Sequence, residues 1–164
     1  MAQLTLVADA FAGNVAPLAA GFGVRAPRAA DADEIGQLYF DCQVPGADLA
    51  GSREAIEEVR AFFRGGFGEF WSAASGVVET GGRLVAALLA VHRAPWDDTP
   101  DCPFITDLFT EPQHRRHGLA RGLLLRCLTE ASATTRPRVA LRADSENVPA
   151  MRLYESLGFR RYDS

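Results

Sequence analysis

Apolar positions along the chain recur at two spacings, and the changes between them mark its elements. Residues 22–27, Phe-Gly-Val-Arg-Ala-Pro, alternate and predict a strand. Ala30, Asp31, Ala32, Asp33, Glu34 and Ile35 open a helix, with acids in its first turn where the dipole favours them. Ser52 caps a second helix in which Ala55, Ile56, Val59 and Phe63 repeat at helical spacing, and Gly65-Gly66 stops it. Residues 70–79 and 83–93, joined through Gly81-Gly82, predict a hairpin. Its stretch 84–91 is nearly all apolar, the pattern of a central strand buried on both faces.

Residues 94–102 are a Pro/Asp-rich loop, and 103–110 are a further strand ended by Pro112. Residues 117–133 predict an amphipathic helix burying Leu119, Leu123, Leu124, Cys127, Leu128 and Ala131. A strand at 138–144, a helix at 148–157 stopped by Gly158, and a short strand at 159–162 complete the order β-α-α-β-β-β-α-β-α-β. Strand, helix and strand over 103–144 form a crossover unit, which makes those strands parallel neighbours in a right-handed connection. The expected fold is α/β, a mixed sheet with helices on its faces. Residues 1–21 read as an Ala/Gly-rich arm with one alternating piece at 3–7, ahead of a single domain over 22–164.

Composition narrows the function classes. At 164 residues and net charge −4, the chain suits one domain and argues against a nucleic-acid binder, which presents a basic face. Every basic residue other than the three histidines is arginine. Cys42, Cys102 and Cys127 are widely spaced and form no Cys/His cluster, so no metal is expected, and reduced thiols fit a cytoplasmic protein. No basic leader region precedes the apolar stretch 4–12, and no run reaches the ~18 residues a membrane span needs, so no membrane partner is expected.

Candidate chemistry concentrates where the strand at 103–110 hands over to a helix. Thr110-Glu111-Pro112-Gln113-His114-Arg115-Arg116-His117-Gly118-Leu119-Ala120-Arg121 places three arginines at a helix start. Amides there lack intrahelical partners and bind anions. Gly118 and Ala120 leave room for a pyrophosphate to approach the backbone. Cations against the dipole cost up to about 1 kcal/mol each, and a bound anion offsets that. Neither GxxxxGK[ST] nor GxGxxG is present.

Arg115-Arg116-His117-Gly118-Leu119-Ala120 resembles the [Q/R]-x-x-G-x-[G/A] loop of the GNAT superfamily of acyl-CoA-dependent N-acetyltransferases. Asn147-Val148-Pro149-Ala150-Met151-Arg152-Leu153-Tyr154-Glu155-Ser156-Leu157-Gly158-Phe159 resembles its N-x-x-A-x-x-L-Y-x-x-L-G-F signature. The resemblance covers residues 103–160; residues 22–93 agree in element order alone. It implies a twisted sheet of about six to seven strands, splayed between 103–110 and 138–144, and acetyl-CoA as co-substrate without metal. It further implies that the backbone of Leu108, Phe109 and Thr110 pairs with the pantetheine arm. The cradle at Arg115, Arg116, His117, Gly118, Leu119, Ala120 and Arg121 would hold the pyrophosphate, and Asn147 would hydrogen-bond the coenzyme. Tyr154 would be the general acid at the departing thiolate.

Transfer to an amine suits these residue types. Attack on a thioester forms an oxyanion that a strand N–H stabilises. A thiol of pKa about 8.5 accepts a proton from a tyrosine near 10 without a strong shift. The base has three candidates: Asp107 on the signature strand, His92 and Glu79; a water chain is a fourth route. Members resembling peptide α-amine acetylators often carry a glutamate where this chain has Arg142, which cannot act as a base. The partner is therefore an amine acceptor, a small molecule or peptide, served by a monomer or homodimer. Its specificity is assigned to residues 43–70 and 94–102, with Trp96, Asp97 and Asp98 bordering the entrance. The family often ends in one more strand, for which residues 3–7 could substitute, in the same molecule or a partner subunit. The rival reading is a non-catalytic sensor or assembly module that binds coenzyme A.

Overall fold

The computed structural model of the chain describes residues 3–13, 17–43 and 51–163. Seven strands form one sheet: β1 (Gln3–Asp9), β2 (Gly23–Arg25), β3 (Gly76–Thr80), β4 (Arg83–Val91), β5 (Phe104–Thr110), β6 (Arg138–Asp144) and β7 (Arg160–Arg161). Their order across the sheet is β2-β3-β4-β5-β6-β1-β7, and every neighbouring pair is antiparallel except β5 with β6. Four α-helices cover it: α1 (Ala32–Asp41), α2 (Ser52–Phe63), α3 (Leu119–Ser132) and α4 (Val148–Ser156).

β4 is buried on both faces, as its apolar run requires. Leu88 points into the core beneath α3 and α4, Leu89 into the core beneath α1 and α2. Alternation slips once: Val85 and Ala86 share a core, because the register with β3 shifts there and Val85 is the unpaired extra residue.

β1 lies inside the sheet, paired with β6 from Gln3↔Asp144 to Asp9↔Arg138 and with β7 on its other edge. Its inner residues go both ways, Leu6 and Ala8 to one core and Val7 to the other. From its end the chain passes over α3. The Gly13 N–H donates to Thr129 Oγ1 at 3.2 Å, and a Cβ on Gly122 would come within 3.0 Å of Leu18.

Several boundaries differ from the sequence expectation for local reasons. The first hairpin arm is strand only from Gly76, because residues 71–75 make a turn in which Ser75 Oγ donates to the Trp71 carbonyl at 2.8 Å and accepts from the Ala90 N–H at 2.9 Å. α3 starts at Leu119 rather than 117, since Gly118 has φ +74° and Arg116 φ +68°, outside helical space. A 3-10 turn at Ala29–Asp31 precedes α1. Phe159 is excluded from the last strand, and its ring packs instead on Tyr154, centroids 5.9 Å apart.

α1 and α2 touch through Gly36, where an added Cβ would lie 2.5 Å from Ile56 Cα. Alanine is favoured over glycine in helices by about 1 kcal/mol, but this contact is with backbone and cannot be relieved by rotating a side chain. Overpacking of about 1–3 kcal/mol therefore wins. Gly36→Ala is expected to be net destabilising by about 1–2 kcal/mol in urea denaturation; an unchanged or raised midpoint would show that the helices part freely.

Candidate active site

The parallel pair β5–β6 is joined only at Phe104↔Ala140 and Ile105↔Leu141. Beyond Ile105 the two strands part, and the backbone of residues 106–110 pairs with β4 on one side only. The parting coincides with a bulge. Leu89 opposes Asp107 while Ala90 opposes Ile105, so Thr106 is the extra residue, and its hydroxyl donates to the Leu89 carbonyl at 3.2 Å. The splay expected between these strands is thus present, with a one-residue insertion at its root.

At the open end of β5, the Glu111 N–H donates to the Val85 carbonyl at 2.8 Å. The Glu111 carboxylate binds Arg83 at 2.7 Å and His114 Nδ1 at 2.7 Å, and these contacts hold it below the usual carboxylate range. The chain then turns through Arg116 and Gly118 into α3. Among the described residues, the backbone N–H groups of 116–121 make no hydrogen bond, and no side chain caps the helix. Residues 115–118 are exposed. Unpartnered donors at a positive helix end, with left-handed residues at Arg116 and Gly118 on either side of His117, make an arrangement that can take an anion.

The side chains of this turn are partly engaged. Arg115 Nε donates to the Thr110 carbonyl at 3.2 Å, and Arg121 reaches Ser156 Oγ on α4 at 3.1 Å. The His117 ring meets the His114 carbonyl at 3.0 Å, and Phe22 lies against both imidazoles, centroids 5.8 Å away. Leu119 is buried, so its amide rather than its side chain is available to a ligand.

Leu108 packs toward the α3/α4 core and Phe109 toward the α1/α2 core, as alternation along a strand demands. Asn147 caps α4, its Oδ1 accepting from the Ala150 N–H at 3.3 Å, and its amide nitrogen has no partner among the described residues. Tyr154 is 9% exposed in the α3/α4 core. Its hydroxyl has no hydrogen-bond partner among the described residues, and burial raises its pKa.

On the opposite face, a cavity of about 200 Å³ opens at the bulge. Asp107 and Thr106 line it from β5, Tyr39 from α1, Glu58, Val59 and Phe62 from α2. Phe67 and Trp96 complete the wall from the loops. Burial pushes the Asp107 carboxyl up to about 6; the adjacent Thr106 hydroxyl opposes the shift and Glu58 adds to it. Burial raises Tyr39 as well, with Asp107 and Glu58 contributing. Trp96 is held between Phe104, 5.6 Å centroid to centroid, and the Arg142 guanidinium, 5.0 Å from its ring. Arg142 also binds Asp98 at 2.7 Å, which ties the 94–102 loop to β6.

Of the base candidates, Asp107 alone reaches the cavity. His92 is exposed and stacks on Trp71, and Glu79 lies on β3 at 3.6 Å from Arg25. Asp107 and Tyr154 belong to opposite faces of the sheet, and the splay is the opening between those faces. Sequence reasoning missed Tyr39 and Glu58. Glu58 is exposed at the edge of the apolar stripe Ala55, Val59, Phe62, so its spacing gave no signal that it would line a cavity. Cys127 is buried and its thiol is pushed up to about 12, which excludes it as a nucleophile near neutral pH. No group of three or more metal-binding side chains occurs among the described residues.

Residues 33–159 match the model of the acetyltransferase (GNAT) family, and the chain belongs to that family. No curated protein matches the sequence significantly. Among solved structures, a GCN5-related N-acetyltransferase from Sphaerobacter thermophilus superposes with TM-score 0.70 at 13% identity. That match covers 98% of this chain but 48% of the other, so this chain spans about half its length. A GNAT-family acetyltransferase from Novosphingobium aromaticivorans gives TM-score 0.60 and 26% identity over 98% of this chain and 59% of that one. The aminoglycoside N-acetyltransferase AAC(6')-Iy, solved with CoA, gives TM-score 0.63 and 14% identity over 87% and 90% of the two chains.

Asp107 binds its proton more tightly folded, near 6, than an ordinary aspartate at 3.8 does. Its ionisation therefore opposes folding: the cost is absent below about pH 4, grows as pH rises toward 6, and is complete above. Two pK units amount to about 3 kcal/mol as an upper limit. Asp107→Asn is expected to stabilise the protein by about 1–3 kcal/mol at pH 7.5 and to lose that gain near pH 4. A gain independent of pH in thermal melts would remove the assignment.

Proposed function

We propose that this protein transfers an acyl group, acetyl by default, from acetyl-CoA directly to a primary amine. The observation that carries this reading is the pairing of an open β5 edge at 106–110 with unpartnered amides at 116–121. Acetyl-CoA supplies an activated thioester when bound. The β5 edge offers backbone donors and acceptors to an extended arm, and the cradle offers N–H groups to a diphosphate. Asn147 can add a side-chain amide, and Arg116 a positive charge.

Asp107 is assigned as the general base. An incoming ammonium must lose one proton, and a carboxylate of pKa about 6 is mostly ionised at neutral pH yet basic enough to accept it. A backbone N–H of the unpaired edge can hold the oxyanion. Tyr154 is assigned as the acid that delivers its Oη proton to the departing sulfur; its hydroxyl is engaged by no neighbour among the described residues.

Coenzyme A should bind the purified protein in calorimetry, and its failure to bind folded protein would end this reading. Tyr154→Phe is expected to lower kcat by about 10²-fold while changing CoA affinity less than about twofold, because it removes the hydroxyl and keeps the ring's packing. In the unaltered enzyme kcat/KM should fall as pH drops below about 6, where Asp107 takes up its proton. A pH profile with no limb there would point to a different base.

A further inference from the structure

Most acids near the functional face have a cation. Asp31, Asp33, Asp98, Asp101 and Glu111 each hold an arginine at 2.6 to 2.8 Å. Glu58 and Asp107 are different. Both line the cavity, the Glu58 charge raises the cost of ionising Asp107, and among the described residues neither has a cationic partner. The rest of the cavity wall is mostly aromatic, Tyr39, Phe62, Phe67 and Trp96, with Val59 and the Thr106 side chain completing it. Its volume, about 200 Å³, is below the roughly 300–1,000 Å³ of sites for drug-sized ligands.

We propose that the acceptor is a small primary amine with one compact apolar body, aryl or branched alkyl, and no carboxylate: its ammonium lies between Glu58 and Asp107 and its body rests on Phe62, Phe67 and Trp96. This rests on the acyltransferase reading above and deepens it. A cation supplies the charge the two carboxylates lack. A carboxylated acceptor brings a third negative charge to the same place. Arg142 cannot neutralise it, being committed to Asp98 and to the Trp96 face. The Trp96 wall is held by contacts with Phe104 and Arg142 before any ligand arrives, so seating an apolar body costs little reordering.

The test uses 2-phenylethylamine, ethylamine, phenylalanine, spermidine and a lysine-containing peptide. Acyl transfer is read as thiol release from acetyl-CoA, and amine binding by calorimetry with CoA present. The expected result is a kcat/KM for 2-phenylethylamine at least about tenfold above that of ethylamine and of phenylalanine. Glu58→Gln should raise the KM for 2-phenylethylamine about tenfold with kcat changed less than about twofold, the signature of lost ground-state binding. Phe67→Ala should compress the phenylethylamine-to-ethylamine ratio with CoA affinity intact.

Equal or faster turnover of phenylalanine, spermidine or the peptide overturns the proposal and leaves acyl transfer standing. So does a ratio that Phe67→Ala does not move. CoA affinity with neither transfer to nor binding of any amine overturns both. Calorimetric binding of 2-phenylethylamine without transfer to any amine removes the acyltransferase reading and supports the ligand class of the cavity.

Discussion

The separation of β5 from β6 after Ile105 governs this molecule. Two parallel rungs hold the strands together, and the bulged Thr106 then turns the strand away while its hydroxyl keeps it bonded to β4. An unpaired strand edge inside a sheet is costly unless something pairs with it or water reaches it. Here that edge runs straight into a helix start whose first amides are also unpartnered. The two deficits are contiguous, and one elongated ligand with an extended arm and an anionic end would satisfy both. A strand edge alone could invite a peptide, and a helix start alone could bind any small anion; their adjacency is what narrows the choice.

Charge is organised around the same opening. With arginine as its only strong cation, the chain uses guanidinium forks to fasten its periphery: Arg60 joins α2 to Asp33 of α1, Arg142 joins β6 to the loop at Asp98, and Arg83 and Glu111 brace the turn leading to the cradle. Such exposed pairs contribute little stability individually. Their effect is positional, since they brace the surroundings of a cavity whose own two carboxylates have no cationic partner among the described residues. Asp107 carries the cost of that choice, being buried enough to resist ionisation.

β1 gives the sheet a second unusual feature. It precedes the region that matches the family, yet it lies between β6 and β7, where it sends Leu6 and Ala8 into the core that contains Tyr154. The segment after it crosses α3, and Phe22 then reaches the two histidines of the cradle.

Local patterning was enough to read the element order, the central position of β4, the amphipathic face of α3 and the parallel β5–β6 crossover, because these follow from spacing of apolar residues that any sheet and helix must bury. The turn itself was equally legible: Gly118 and its neighbours define a strand-to-helix turn by short-range chemistry, and the signature at 147–159 marks Asn147 and Tyr154 by position. What spacing could not reveal depends on residues far apart in sequence. The bulge at Thr106 arises from register against β4, and the turn at 71–75 from Ser75 reaching Ala90. Arg142, a departure from the family pattern, acquires a role only when the fold brings Trp96 and Asp98 beside it. Asp107 was the first of the base candidates by its place on the signature strand, but only tertiary packing put it in a cavity and left His92 and Glu79 elsewhere. An acid's basicity is set by the dielectric and the charges around it, and those are properties of the assembled structure.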